Sequence, residues 1–265
     1  MFCFFHIFVF YFKMKYKTYF ISDSHLGSHV FGDSSAREKS LVRLLDSIKD
    51  DAKALYLLGD IFDFWFEYKH AIPKGFTRLL GKLAELSDAG TEIHYLTGNH
   101  DLWIVDYLPK EIGLILHKKP LTTEISGKIF YLAHGDGLGD NSFSFKFIRR
   151  IFHNKVCQFL FRFIHPDLGI KLAHVWANYS RWKEMKYPKP FLGEDKDFMV
   201  LFAKSYIKDH PEIDYIIFGH RHFPMELELT PKSKLIYAGD WLHSFTYVVF
   251  DGEELNLVRQ CGPGF

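Results

Sequence analysis

Short apolar segments alternate with amphipathic helical segments through most of the chain, and no other feature of the sequence limits the fold as strongly. The segments TYFIS, KALYLLG and EIHYLTG predict buried strands. Between them, REKSLVRLLDSIKDD and FTRLLGKLAELSDAG carry apolar residues at helical spacing, with Gly90 placed to end the second helix. This alternation predicts β–α–β units and a mostly parallel sheet.

The second half of the chain predicts more strands than helices. LTTEIS and KIFYLAHG form a candidate hairpin that turns through Gly127. After DYIIFGH, the segments MELELT, KLIYAGD and FTYVVFDG predict a run of strands joined by turns. We therefore expect an α/β fold with a core of two sheets and helices outside them.

Composition limits the class of protein. The 265 residues are 48% hydrophobic and 25% charged, which is typical of a globular chain, and they suit one large α/β domain with an insertion. A net charge of +1 gives no overall electrostatic field. The three cysteines lack CxxC spacing, which fits a reducing compartment and gives no sign of a cysteine metal site.

The first residues differ from the rest of the chain. The stretch MFCFFHIFVFYF is too short to span a bilayer and lacks the basic region and cleavage site of a secretory signal. We expect residues 1–13 to lie outside the fold and residues 14–265 to form the domain. The alternative is a short membrane-touching segment, because Lys13, Lys15 and Lys17 follow the apolar stretch.

Residues 142–190 predict an inserted helical module with its own role. The segment is rich in aromatic residues, and from Phe143 to Lys189 it has ten basic residues against two acidic ones, a local net charge of +8. Interleaved Phe, Leu and Ile with Arg and Lys suit a ligand with acyl chains and phosphates, or an anionic membrane surface. Two alternatives remain open, the plain core of a helical hairpin and a nucleic-acid groove, although nothing else in the chain requires nucleic acid.

Polar clusters follow five of the predicted strands. They are Asp23 and His25, then Asp60 and Asp63, then Asn99, His100 and Asp101, then His134 and Asp136, and finally His220 and His222. One such cluster alone is typical of a turn or a helix cap. Five of them in order, each at the carboxyl end of a strand, predict one shared crevice.

The residue types in these clusters favour a metal site. Carboxylate, amide and imidazole donors without thiolate suit two divalent cations, with manganese, iron or zinc as candidates. One carboxylate must then bridge two ions about 3.5–4 Å apart, the spacing used for displacement at phosphorus.

The patterns D-x-H, GD-x-x-D, GNHD, H-G-D and GH-x-H together resemble the calcineurin-like metallophosphoesterase superfamily, from about Lys15 to Phe250. The resemblance implies a four-layer αββα sandwich and a dimetal phosphoester hydrolase. It assigns one metal to Asp23, His25, Asp60 and His222. It assigns the other metal to Asp60, Asn99, His134 and His220, with Asp60 as the bridge.

Within the superfamily the chain most resembles the UDP-2,3-diacylglucosamine pyrophosphatases of lipid A biosynthesis. The similar features are the aromatic end of GDIFDFW, the AHGDG motif with a helical insertion after it, and GHRH followed by Pro224. The resemblance implies an acylated nucleotide-sugar substrate, manganese, an insertion that receives acyl chains, and a cytoplasmic enzyme peripheral on the inner membrane. We expect substrate contacts at Arg149, Arg150, Lys155 and Trp65, and infer no obligate protein partner.

His100 departs from that family, which usually has Arg at this position. Arginine is permanently charged and clamps phosphate, whereas histidine also donates a proton to a leaving oxygen. We therefore expect His100 and Asp101 to be catalytic, with Asp101 orienting the His100 ring. The histidine favours phosphoester chemistry but leaves other substrates open, namely another phosphodiester or a nucleotide. A non-catalytic scaffold or lipid-binding protein is the third alternative, although none of the expected ligands is missing.

Overall fold

The computed structural model describes residues 15–138, 150–152, 154–186, 191 and 193–260, apart from the side chains of residues 179–186. The predicted N-terminal extension, residues 1–13, and the predicted substrate contact Arg149 lie outside the described residues.

The first sheet is parallel at its centre and antiparallel at one edge. Its parallel strands are β1 (Lys17–Ile21), β2 (Ala52–Leu57), β3 (Glu92–Leu96) and β4 (Ile115–His117). The antiparallel strands β10 (Thr246–Phe250) and β11 (Leu255–Arg259) extend it beyond β1. The order is β11-β10-β1-β2-β3-β4, which confirms the predicted parallel units.

The second sheet contains the later strands. They are β5 (Leu121–Ile125), β6 (Lys128–Ala133), β7 (Tyr215–Phe218), β8 (Pro224–Glu228) and β9 (Lys234–Ala238). Their order is β5-β6-β7-β9-β8, with β6, β7 and β9 parallel. Strands β5 and β6 form the predicted hairpin through Gly127, which has a positive φ of 79°.

Helices cover the outer faces of both sheets. The described helices are α1 (Ser34–Ile48), α2 (Thr77–Asp88), α3 (Tyr107–Ile112), α4 (Lys155–Phe161), α5 (Pro166–Lys186) and α6 (Phe198–Asp209). The side chain of Asp33 caps the start of α1, and that of Asp197 caps α6. Over the described part of the chain, no helix combines the length and the apolar character needed to cross a membrane.

Three apolar cores separate four layers. Leu41 and Leu83, from α1 and α2, pack against one face of the first sheet. Phe20 and Phe130 lie between the two sheets, and Met199 of α6 packs on the outer face of the second sheet. Each buried side chain of this size contributes roughly 1.5–3 kcal/mol through burial. The layer order is helix, sheet, sheet, helix, which confirms the αββα prediction.

Candidate metal centre and adjoining cavity

Six predicted ligands meet at the carboxyl ends of the parallel strands. Asp23 and His25 follow β1, Asp60 follows β2, His134 follows β6, and His220 and His222 follow β7. They form two groups of three, Asp23 with His25 and His222, and Asp60 with His134 and His220. In each group the candidate ligand atoms lie within 4.8 Å of one another.

Asp60 lies between the two groups. Its Oδ2 is 3.2 Å from Nε2 of His134 in its own group and 3.8 Å from Nε2 of His25 in the other. On the far side of His25, Nε2 of His222 is 3.2 Å from Oδ1 of Asp23. A carboxylate that faces both groups has the position required of a bridging ligand.

The backbone is strained at these positions. Among the described residues, eight that are not glycine have a positive φ, and five of them are predicted ligands: Asp23, His25, Asp60, His220 and His222. A left-handed conformation costs on the order of 1–3 kcal/mol for such a residue and persists only where the surrounding fold enforces it. Strain concentrated in one cluster of side chains indicates a functional site.

Two glycines allow the loops to approach closely. A Cβ on Gly98 would lie 2.6 Å from the backbone nitrogen of Asp60 and overlap its Oδ1. A Cβ on Gly59 would lie 2.6 Å from the backbone nitrogen of Gly98 and 2.8 Å from Nδ1 of His134. The loops after β2 and β3 therefore need glycine at both positions to bring Asp60 against His134.

Asp101 has a different role from the one predicted. It is fully buried, and its carboxylate accepts hydrogen bonds from the Tyr95 hydroxyl, from the Gly98 N–H at 2.8 Å and from the Ile61 N–H at 2.9 Å. The His100 ring is held instead by the carbonyl of Asp63, which lies 2.9 Å from Nδ1. Asp101 therefore joins the loops after β2 and β3 and does not orient His100.

A buried ion pair fixes the loop after β7. Arg221 lies between the two histidines of this loop, and its Nη2 is 3.0 Å from Oδ2 of Asp197. The other oxygen of Asp197 accepts hydrogen bonds from the Tyr237 hydroxyl and from the first backbone N–H groups of α6. The N-cap of α6 thus also sets the position of His220 and His222.

Hydrogen bonds place the histidine rings in orientations suited to metal binding. Nδ1 of His134 lies 2.9 Å from the carbonyl oxygen of Leu58. A proton on Nδ1 makes this hydrogen bond and leaves the Nε2 lone pair directed at the cluster. Nδ1 of His25 lies 3.7 Å from Oδ1 of Asp63, so a carboxylate supports this ring from behind.

The charges of the cluster also favour a cation. Burial alone would raise the pKa of Asp23, but hydrogen bonds from His222 and His25 hold that pKa below its ordinary value. Burial opposes protonation of His134, yet the charges of Asp60 and Asp23 raise its pKa well above the ordinary value. Burial and the charge of His134 lower the pKa of His220 to about 4. A proton on His134 balances the carboxylates, and a metal ion that binds here must displace it.

Asn99 and His100 lie where the cluster meets a cavity. The backbone N–H of His100 donates to Oδ1 of Asp60 at 2.8 Å, which ties the loop after β3 to the cluster. Asn99 is exposed, and both residues line the cavity. The structure therefore brings the seventh predicted ligand to the edge of the site.

This cavity has a volume of about 480 Å³ and a mostly apolar wall. The insertion helices α4 and α5 form one side of it through Cys157, Phe161, Leu172, Ala173, Trp176 and Ala177. The opposite side is formed by the loops after β2 and β3, through Phe64, Leu102 and Trp103. We call it the apolar cavity.

The predicted substrate contacts differ in burial and in their position relative to the apolar cavity. Trp65 lines the apolar cavity but is fully buried, with its ring packed on Phe62 and its Nε1 donating to Glu67, so a direct contact with substrate stays a prediction. Arg150 and Lys155 are exposed, and neither lines the apolar cavity.

Sequence reasoning missed two residues near the site. His174 of α5 places Nδ1 4.0 Å from Oδ2 of Asp63, and Trp103 packs against Phe161 of α4 with ring centroids 5.1 Å apart. His174 has no metal-type spacing to reveal it. Trp103 lies two residues after Asp101, and its position beside the GNHD motif was the one available signal.

Comparisons with known proteins agree with this architecture. The calcineurin-like phosphoesterase family model matches residues 16–224. The UDP-2,3-diacylglucosamine hydrolase of Porphyromonas gingivalis (strain ATCC BAA-308 / W83) is 40% identical over 255 residues, which cover 92% of this chain and 97% of the relative.

More distant relatives have the same name. The UDP-2,3-diacylglucosamine hydrolase of Aeromonas salmonicida (strain A449) is 27% identical over 93% of this chain and 94% of its own. That of Ectopseudomonas mendocina (strain ymp) is 28% identical over 82% of this chain and 89% of its own. With a family match over most of the fold and a relative of 40% identity, the chain belongs to the calcineurin-like phosphoesterase family and is a hydrolase.

Proposed function

We propose that this protein hydrolyses the pyrophosphate bond of UDP-2,3-diacylglucosamine to give UMP and the acylated sugar phosphate. The observation that carries the proposal is the apolar cavity of about 480 Å³, which meets the candidate metal centre at Asn99 and His100. A phosphoesterase for small polar esters has no need of such a chamber. The names of the relatives give the same substrate.

The walls of the cavity suit acyl chains. Phe161, Leu172 and Trp176 come from the insertion helices and Trp103 from the loop after β3, so both sides are apolar. Burial of one methylene group contributes about 0.8 kcal/mol, and a few methylenes of each chain outweigh the cost of ordering them. The phosphates of the same molecule then lie next to the cluster of Asp and His side chains.

The donor set fits two divalent cations. We propose that Asp23, His25, Asp60 and His222 hold one ion, and that Asp60, Asn99, His134 and His220 hold the other. Buried carboxylates and imidazoles without thiolate suit manganese, with iron or zinc as alternatives. Bound cations of this kind supply Lewis-acid stabilisation of charge on the phosphoryl oxygens and lower the pKa of water.

The side chains near the metal centre then position the loops and protonate the departing oxygen. His100 is fixed by its backbone N–H on Asp60 and by Nδ1 on the Asp63 carbonyl, and its side chain borders the apolar cavity. With Nδ1 occupied, Nε2 is the atom that donates a proton to the departing oxygen. Asp101 positions the loops after β2 and β3, because its carboxylate accepts hydrogen bonds from the backbone N–H groups of Ile61 and Gly98.

We also propose that the protein works at the cytoplasmic surface of the inner membrane. Val156, Phe159, Leu160 and Phe163 lie at helical spacing along and just after α4, and all are exposed, Phe163 by 74%. Lys155 and Arg162 flank this outer face, which suits an anionic bilayer. Cys157 and Phe161 of the same segment line the apolar cavity, so the outer face is continuous with the chamber for the chains.

One assay tests the proposed function. Purified protein with Mn²⁺ is given UDP-2,3-diacylglucosamine in detergent and, separately, bis-p-nitrophenyl phosphate. We expect release of UMP from the lipid substrate, abolished by a chelator and restored by Mn²⁺. Hydrolysis of the generic ester without release of UMP would reject the lipid substrate in favour of another phosphodiester. Turnover of neither compound with both metals bound would favour a binding protein.

A further inference from the structure

A second, smaller cavity borders the candidate metal centre. Its volume is about 60 Å³, and its wall includes Gly98, His134 and Gly135 from the ligand-bearing loops. The remaining wall comes largely from the segment between β4 and β5, with Lys118, Lys119 and Pro120. We call it the lysine cavity.

The lysine cavity and the apolar cavity meet beside the metal-binding loops. Both are lined by Leu102 and Asp136, and both take further residues from the loop after β3. The insertion helices border only the apolar cavity, and the β4–β5 segment borders only the lysine cavity. A substrate with two chemically different halves joined by phosphates would place one half in each.

Two lysines, Lys118 and Lys119, outnumber the one carboxylate, Asp136, in the wall of the lysine cavity, so its charges favour an anion. In the described part of the chain, neither Lys118 nor Lys119 forms an ion pair, although both side chains are exposed. Partial burial lowers the pKa of Lys118; the charge of Glu67 raises it and that of Lys155 lowers it further, and an anion beside Lys118 would relieve the repulsion from Lys155. Thr97 adds a hydroxyl group to the same wall.

The size of the lysine cavity limits what enters it. About 60 Å³ holds several water molecules, which is room for a phosphoryl or ribosyl group but not for a diacyl chain. The Lys119–Pro120 segment beside the cavity is exposed, which leaves room for the rest of a nucleotide.

We infer that the lysine cavity binds the nucleoside monophosphate half of the substrate, with Lys118 and Lys119 contacting its anionic and ribosyl groups. This inference rests on the proposed function, because it assigns the acyl half to the other cavity. The two lysines then determine affinity for the nucleotide.

Product inhibition tests the inference. The double variant Lys118→Ala/Lys119→Ala is compared with Lys53→Ala, which removes an exposed lysine from β2, outside both cavities. We expect inhibition of lipid-substrate hydrolysis by UMP to weaken about tenfold in the double variant, the effect of losing charged hydrogen bonds. Inhibition by the acylated sugar phosphate should stay within twofold of that of the unmodified protein.

The possible failures are distinguishable. UMP inhibition unchanged in the double variant, or both products weakened equally, would overturn the assignment of the lysine cavity while leaving the proposed function intact. An unmodified protein that hydrolyses bis-p-nitrophenyl phosphate but releases no UMP from the lipid substrate would instead overturn the proposed function. Equal thermal unfolding temperatures of the variants exclude a folding defect, because both lysines are exposed.

Discussion

His100 joins the metal-binding loops to the apolar cavity through two separate groups. Its backbone N–H binds Asp60, while its ring is fixed by the Asp63 carbonyl and borders the cavity. An arginine would add a permanent charge at this position and would not transfer a proton. The histidine therefore combines a positioning role, through the backbone, with a proposed proton-donating role through the ring.

His100→Ala should lower kcat by about 10²–10⁴-fold, the usual effect of deleting a general acid, and leave metal content unchanged. His100→Asn is the matched variant, because its side-chain amide can still donate to the Asp63 carbonyl. Elemental analysis and steady-state kinetics measure both effects. If His100→Asn restored activity to near the original level, the role of the ring would be positional and not acid catalysis.

At the scale of single residues, the sequence predicted the donor types but not every role. Asp23, His25, Asp60, His134, His220 and His222 meet as the strand-end pattern predicts, because parallel strands end at one edge. Asp101 was assigned wrongly, since a carboxylate next to a histidine in sequence gives no sign that backbone N–H groups surround it. The full burial of Trp65 was not predictable, because it depends on packing against distant residues such as Phe76.

Among the structural elements, the loops after β2 and β3 are the most constrained. They meet at Gly59 and Gly98, and the Asp101 carboxylate accepts a backbone hydrogen bond from each loop. The positive φ at Asp60 adds strain to the same junction. The geometry of the bridging carboxylate thus depends on residues that touch no metal or substrate.

Gly98→Ala should strongly reduce metal content, because the new methyl group would overlap the Asp60 carboxylate and backbone. The matched control is Gly81→Ala in α2, where an added Cβ meets no atom within 4 Å. The control should be neutral or stabilise the fold by up to about 1 kcal/mol, since alanine is the better helix former. Elemental analysis with thermal unfolding checks both, and full metal content in Gly98→Ala would contradict this account of the junction.

The insertion helices contribute the apolar cavity, and a charge placed inside it tests that role. Leu172→Glu should lower kcat/KM for the acylated substrate tenfold or more, because a carboxylate in an apolar chamber is costly. Leu168→Glu is the control, since Leu168 lies on the same helix and is exposed to a similar extent, 53% against 50% for Leu172, but does not line the cavity. The measurement is kcat/KM in detergent micelles, with bis-p-nitrophenyl phosphate as the reference substrate. Equal losses of kcat/KM in the two variants would show that the cavity does not bind the acyl chains.

In the molecule as a whole, the two-sheet scaffold and the helical insertion have different roles. The two sheets place the candidate ligands, and α4 and α5 close the apolar cavity over them. A core of two sheets with helices outside was predictable because period and strand length show directly in the sequence, whereas the αββα layer order was implied by the family resemblance. The cavity was not, because it depends on contacts between segments far apart in the chain, such as Trp103 with Phe161.

The proposed membrane face on and just after α4 gives a further prediction. Leu160→Glu/Phe163→Glu should abolish most co-sedimentation with vesicles that contain phosphatidylglycerol, because it replaces exposed apolar anchors by negative charge. Release of UMP in detergent should be unaffected. The control Leu201→Glu changes an exposed leucine of α6, on the other side of the sandwich from the α1 and α2 layer. Equal vesicle binding by all three proteins would contradict the proposed membrane face.

The central claim is that the metal cluster and the apolar cavity act on one acylated pyrophosphate. Its most direct test is the ratio of kcat/KM for UDP-2,3-diacylglucosamine to that for unacylated UDP-glucosamine, measured with Mn²⁺ by release of UMP. We predict a ratio of about 100 or more, which roughly four buried methylenes supply at about 0.8 kcal/mol each. A ratio near one would contradict the claim, because the cavity beside His100 would then contribute nothing to substrate selection.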